Sequence, residues 1–229
     1  MLSLIRASHP EPTFAVTLVA TVLAVGVGHS THGVAAVAVA VLASQLSVGW
    51  GNDWLDAHRD VITGRTDKPI VTGAVSRTTV GWAAAIATMV TVPLGLLSGG
   101  WATIVLVVGL VSAWLYNEPL KRTPVSVLPY LVSFAMLPTF IVLGLPGHPL
   151  PPWWLPMAGA LLGFGAHFAN VLPDLEADLA TGVRGLPHRV GATVSRCLAA
   201  AGLLGASVVL TLGPAGPPTW LGLFVVAIA

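Results

Sequence analysis

Two short acidic segments hold the residues of this chain that can do chemistry. The first is Asn52-Asp53-Trp54-Leu55-Asp56-Ala57-His58-Arg59-Asp60, and the second is Asn170-Val171-Leu172-Pro173-Asp174-Leu175-Glu176-Ala177-Asp178. The chain has nine acidic residues, and six of them fall in these two stretches. Oxygen-only donors are hard ligands, which suit Mg2+ and disfavour zinc or copper. A few carboxylates leave Mg2+ positions open, and phosphate oxygens commonly fill them. The candidate metal ligands are therefore Asn52, Asp53, Asp56, Asp60, Asp174 and Asp178. Among them Asp56, Asp60, Asp174 and Asp178 are the candidates for catalysis, holding metals that neutralise a diphosphate as it leaves carbon. Lys68, Arg65, Lys121 and Arg122 can add positive charge for the same diphosphate.

These segments need helices to position them, and composition says where those helices lie. Of the 229 residues, 55% are hydrophobic and 8% charged, with a mean hydropathy of +0.86. A soluble domain typically carries about 25% charged residues, so the chain is expected to be an integral membrane protein with the lipid bilayer as its partner. A net charge of +1, with basic residues scattered among acids, leaves no nucleic-acid footprint. The lone Cys197 excludes an internal disulfide and a cysteine-based metal site.

Apolar runs predict helices over 14–28, 33–50, 80–97, 101–116, 125–145, 153–172 and 190–212, with an eighth beginning at 217. The runs are continuous rather than alternating, which favours helices over barrel strands. The first run could pass for the apolar part of a signal peptide. Seven further runs and no evident cleavage site make it a first membrane helix instead. All ten Lys and Arg lie at the N-terminus or after helices two, four and six. The positive-inside rule then puts the N-terminus and both acidic segments on the cytoplasmic side of the cell membrane.

At 100° per residue, Gln45, Asn52, Asp53, Asp56 and Asp60 share one face of the second helix. His167, Asn170, Asp174 and Asp178 share one face of the sixth, and Glu176 points away. Pro173 interrupts helical hydrogen bonding there. Gln45, His167 and Asn170 thus become candidate substrate contacts beside the ligands. Arg6 and His9, ahead of the first helix, read as interfacial anchors or as contacts to an acceptor near the cytoplasmic mouth. Gly159, Gly163 and Gly165 read as close helix packing.

At these residues the chain resembles the UbiA superfamily of intramembrane prenyltransferases. The family's N-D-x-x-D-x-x-x-D is matched by Asn52, Asp53, Asp56 and Asp60, and its D-x-x-x-D by Asp174 and Asp178. Asp67-Lys68-Pro69-Ile70 followed by Gly73 is similar to the segment that follows the first motif. The family's Y-x-x-x-K element appears as Tyr116-Asn117-Glu118-Pro119-Leu120-Lys121, one residue longer, and implies diphosphate-binding roles for Tyr116 and Lys121. The resemblance implies an all-α bundle of nine transmembrane helices around a central cavity. Eight are expected here, in a single domain over 1–229 that lacks the family's last helix. It also implies Mg2+-dependent transfer of a prenyl group from an isoprenyl diphosphate to an aromatic acceptor. A membrane terpene cyclase using the same ionisation is the alternative enzyme. A cation transporter fits less well, because no carboxylate lies mid-membrane to pass an ion across. The longer D-x-x-D-G-x-x-A-R signature of phosphatidyl-alcohol transferases is absent.

Overall fold

The computed structural model describes residues 1–228, all of whose regular elements are helical. In chain order these are α1 (Leu2–Arg6), α2 (Pro10–Gly26), α3 (Thr31–Ile62), α4 (Arg77–Leu96), α5 (Gly100–Asn117), α6 (Leu128–Leu143), α7 (Trp154–Val171), α8 (Leu175–Ala180), α9 (Leu186–Leu212) and α10 (Trp220–Ile228). Two 3-10 turns, Leu120–Arg122 and Leu172–Asp174, complete the set. Every apolar run of the sequence is a helix. Among the described residues, five helical stretches are long and apolar enough to cross a membrane: Thr31–Ile62, Arg77–Leu96, Gly100–Asn117, Trp154–Ala180 and Leu186–Leu212. The protein is a multi-pass membrane protein. Large apolar side chains such as Val19, Val22, Trp82, Ile86 and Met89 are exposed, an arrangement that suits lipid.

The chain divides into two compact units, Met1–Leu110 with Phe140–Pro149, and Val111–Thr139 with Leu150–Ala229. In the first unit α2 and α4 pack on α3. Small residues make the close approach possible, with Ala36, Ala40, Ala43 and Ser44 of α3 and Ala84 and Ala87 of α4 all buried. Ser47 and Thr88 join their hydroxyls across this contact. Ser30 and Ser76 cap α3 and α4, accepting from the N–H groups of Gly33 and Thr79 at 3.2 and 3.0 Å.

In the second unit α7 packs on α9, and α10 on α9. Gly165 of α7 meets Gly202 and the Ala199 carbonyl of α9, where a Cβ would crowd the backbone. Gly163 is held as closely to the Tyr130 carbonyl and the Phe134 ring of α6. Both glycines serve packing, as expected. Pro138 inside α6 offers no N–H to the Phe134 carbonyl one turn earlier. That carbonyl lies against Gly159 of α7, where a Cβ would overlap it.

Two helices outrun their apolar runs, and one breaks where Pro173 predicts. Helix α3 does not stop at Trp50 but continues to Ile62, carrying the whole first acidic segment. Its backbone hydrogen bonds persist because its carboxylates find side-chain partners and need not break the helix to reach water. Helix α7 gives way at Leu172–Asp174 to a 3-10 turn, then to the short α8, where Pro173 removes a backbone donor. Helix α9 starts four residues early and is interrupted at Gly191, whose φ of 82° and ψ of 168° are not helical. Cys197, past that break, is exposed.

Candidate active site

The unbroken α3 buries three carboxylates. Asp53, Asp56 and Asp60 are 2%, 5% and 5% exposed. Isolated ionised carboxylates are costly to bury, and each of these has polar or charged company. Arg59 donates to Asp56 Oδ2 at 2.8 Å, and Asn52 Nδ2 donates to the same oxygen at 3.3 Å. Asp60 lies in the field of Lys68, Asp56, Arg59 and Asp53. Gln45 stands half-buried on the same helix, upstream of the cluster.

The loop after α3 returns a cation to the cluster. Gly64 takes a positive φ of 67°, and the Arg65 N–H donates back to the Asp60 carbonyl at 3.0 Å, which ends the helix in a Schellman-like turn. Arg65 then forms a fork on Asp67, with Nε and an Nη each 2.9 Å from a carboxylate oxygen. This hydrogen-bonded pairing holds the Asp67 carboxyl down at about 2. Lys68 Nζ reaches Asp53 Oδ1 at 2.6 Å. His9 Nε2 lies 2.9 Å from that same oxygen.

In the second unit the carboxylates are more open. Asp174 and Asp178 are half-buried, and Glu176 and Asn170 are exposed. The buried polar groups here include His167, Lys121, Asn117 and Ser126. His167 is 0% exposed, and its Nε2 lies 3.1 Å from Ser126 Oγ. The same hydroxyl accepts from the Leu186 N–H at 2.9 Å, tying the head of α9 to the loop before α6. Tyr116 and Tyr130 pack edge-on, with centroids 4.8 Å apart, and both rings touch His167. Lys121, in the 3-10 turn after α5, is 6% exposed. Arg122 next to it is exposed, 3.6 Å from Glu118. His188 Nε2 stands 3.3 Å from Asp178 Oδ2, within ion-pair distance. Hydrogen-bond alignment is lacking there, and both His188 ring nitrogens are buried without such a partner.

Asn52, Asp53, Asp56, Asp60 and Lys68 are therefore gathered in the first unit, while Tyr116 and His167 share an aromatic cluster in the second. The face expected to carry both His167 and Asn170 splits by burial, with His167 inside and Asn170 exposed. Sequence reasoning did not mark Ser126 or His188. Neither stands in a motif, and their partners lie at a distance along the chain.

Among the described residues, no three His, Cys, Asp or Glu side chains form a metal cage by themselves. The donors of α3 nonetheless fit a hard cation. Asp53 Oδ2 is buried and has no hydrogen-bond partner, a condition rare for a buried oxygen and natural for one that binds a cation. Mg2+ bound with a substrate's phosphates needs only one or two protein carboxylates.

A UbiA prenyltransferase family model matches residues 13–229. The bacteriochlorophyll synthase 33 kDa chain of Cereibacter sphaeroides is 32% identical over 170 residues, which cover 69% of this chain and 56% of that one. The match thus spans a little over half of the relative's length. A UbiA homolog from Archaeoglobus fulgidus bound to DMAPP and Mg2+ superposes with a TM-score of 0.79 at 13% identity, over 99% of this chain and 84% of that one. The same homolog bound to GPP and Mg2+ gives 0.77, also at 13% identity, over 99% and 84%. A digeranylgeranylglyceryl phosphate synthase structure gives 0.68 at 16% identity, over 90% and 75%. At these identities the three solved structures speak for the fold alone.

Proposed function

The chain belongs to the UbiA prenyltransferase family, and on that footing we propose that it transfers a prenyl group from an isoprenyl diphosphate to an aromatic acceptor within the membrane. It acts as one transmembrane domain, with its N-terminus and acidic segments on the cytoplasmic side. The observation that carries this reading is the buried Asp53 carboxylate, whose Oδ2 has no hydrogen-bond partner. Mg2+, when bound, supplies the positive charge that offsets a departing diphosphate.

The chain's own residues divide the remaining work. Asn52, Asp53, Asp56 and Asp60 would hold metal from a rigid helix, and Asp174 and Asp178 would do so from a 3-10 turn and the short α8 that follows it. Lys68, Arg65, Lys121 and Arg122 contribute charge to the diphosphate, and Tyr116 contributes a hydroxyl. Gln45 and Asn170 line the substrate, and the buried His167 steadies Tyr116 from behind. The apolar helices accept the hydrocarbon tail and keep water from the allylic cation.

The test is Mg2+-dependent diphosphate release by the purified protein from a polyprenyl diphosphate, repeated with Asp56→Ala and Asp174→Ala. Unchanged release in both variants sinks the mechanism. A cyclase differs in its product, so product analysis with and without an aromatic acceptor separates the two. The name of the Cereibacter relative puts a bacteriochlorophyll-type acceptor first in that assay.

A further inference from the structure

The N-terminal segment is built into the acidic end of α3. Chain termini are usually loose unless tied down. Here Ala7 and Ser8 are 0% and 1% exposed. Trp50 Nε1 donates to the Leu4 carbonyl at 2.8 Å. Gly49 presents a bare Cα to the Ser8 carbonyl, where a Cβ would overlap it. Thr13 Oγ1 donates to that carbonyl at 2.9 Å.

Together these contacts deliver His9 to one place. It stands at the head of α2 with φ 53° and ψ 69°, a left-handed conformation uncommon outside glycine. Such strain persists where the surroundings enforce it, and it gathers at functional sites. From this position Nε2 lies 2.9 Å from Asp53 Oδ1 and 3.1 Å from Lys68 Nζ. Lys68 itself donates to Oδ1 at 2.6 Å. With its proton on Nε2, His9 donates to Oδ1 beside Lys68, so two donors hold one oxygen of Asp53, and the other, Oδ2, is buried without a hydrogen-bond partner.

We propose that His9 is a positioning residue, fixing the Asp53 carboxylate so that Oδ2 is turned to a divalent cation bound with the substrate's diphosphate. This rests on the reading of the first acidic segment as a metal site. Lys68 alone cannot set the orientation, because an ammonium on a flexible stem acts as a point charge. The imidazole, locked by its backbone, is directional. Groups that hydrogen-bond a metal-binding carboxylate commonly govern affinity by roughly 10–100-fold.

The experiment titrates Mn2+ into the purified full chain with pyrophosphate and follows free Mn2+ by electron paramagnetic resonance, with Tm measured alongside. His9→Gly suits the left-handed backbone without strain, so it keeps the wild-type Tm. It is expected to weaken Mn2+ binding about 10-fold or more. His9→Gln, whose amide can donate to Oδ1, recovers much of that loss. If His9→Gly binds Mn2+ like the wild type while Asp53→Asn does not, His9 has no positioning role and the metal site stands. If Asp53→Asn also binds unchanged, the metal reading of the first segment falls, and this proposal with it. Equal loss in His9→Gly and His9→Gln, with Tm lowered in both, makes His9 a packing residue and overturns the proposal.

Discussion

The first acidic segment rides an unbroken helix that buries Asp53, Asp56 and Asp60. The second straddles a helix break, leaving Asp174 and Asp178 half-buried around a 3-10 turn and the six-residue α8. In the first, the carboxylates are inside and basic groups come to them from the following loop and the N-terminus. In the second, His167 and Lys121 are inside and the carboxylates are near the surface. One motif chemistry is therefore carried on a stiff support and on a soft one. A long packed helix fixes its donors in advance. A short helix holds few of its own hydrogen bonds, so its donors can adjust.

If both segments bind metal, function should treat them alike and stability should not. Asp56→Ala and Asp174→Ala should each lower Mg2+-dependent diphosphate release by about 1,000-fold, ~4 kcal/mol of lost charge stabilisation. A large loss in only one of the two would confine the metal chemistry to that segment. Denaturation should then separate them. Asp53→Ala strands the mostly buried Lys68 ammonium and should cost about 3 kcal/mol. Asp178→Ala should cost less than ~1 kcal/mol, because its contact with His188, though mostly buried, lacks hydrogen-bond alignment. Equal shifts in Tm would erase the contrast between stiff and soft supports.

The next effect tests what holds the second unit together. Ser126→Ala removes the hydroxyl shared by the Leu186 N–H and His167 and should cost about 2 kcal/mol, read as a lower midpoint in thermal unfolding. The smallest effect concerns Asp67, held at about 2 by Arg65 rather than at the ordinary 3.8. A depressed carboxyl stabilises the fold fully above its ordinary value and loses that contribution as pH falls toward 2. The pair is exposed, so the difference between the wild type and Arg65→Ala should stay below ~0.5 kcal/mol at pH 6. It should vanish near pH 2 in the same melting experiment.

The apolar runs and the two acidic spacings were legible because periodicity and composition are local properties. The break at Pro173 was legible too, since a missing N–H is written in the residue itself. The shared face of Asn52, Asp53, Asp56 and Asp60 implied that α3 carries on past Trp50, but its end at Ile62 was not legible. Only their partners show why the helix continues. Gly191 lies inside the apolar run 190–212, and nothing in that run marks a break until its φ is known. His9 was visible as a residue but not in its task, since Asp53 lies 44 positions away. Ser126 and His167, 41 apart, meet only through the folding of the chain.

The contact of α6 with α7 carries a consequence for how these positions can vary. Pro138 withholds a hydrogen from the Phe134 carbonyl, and Gly159 withholds a carbon from the space into which that carbonyl leans. An omission in one helix is answered by an omission in the other. A Cβ supplied at position 159 alone overlaps that carbonyl, so what position 159 can hold depends on how the turn around Pro138 aims its neighbour's oxygen.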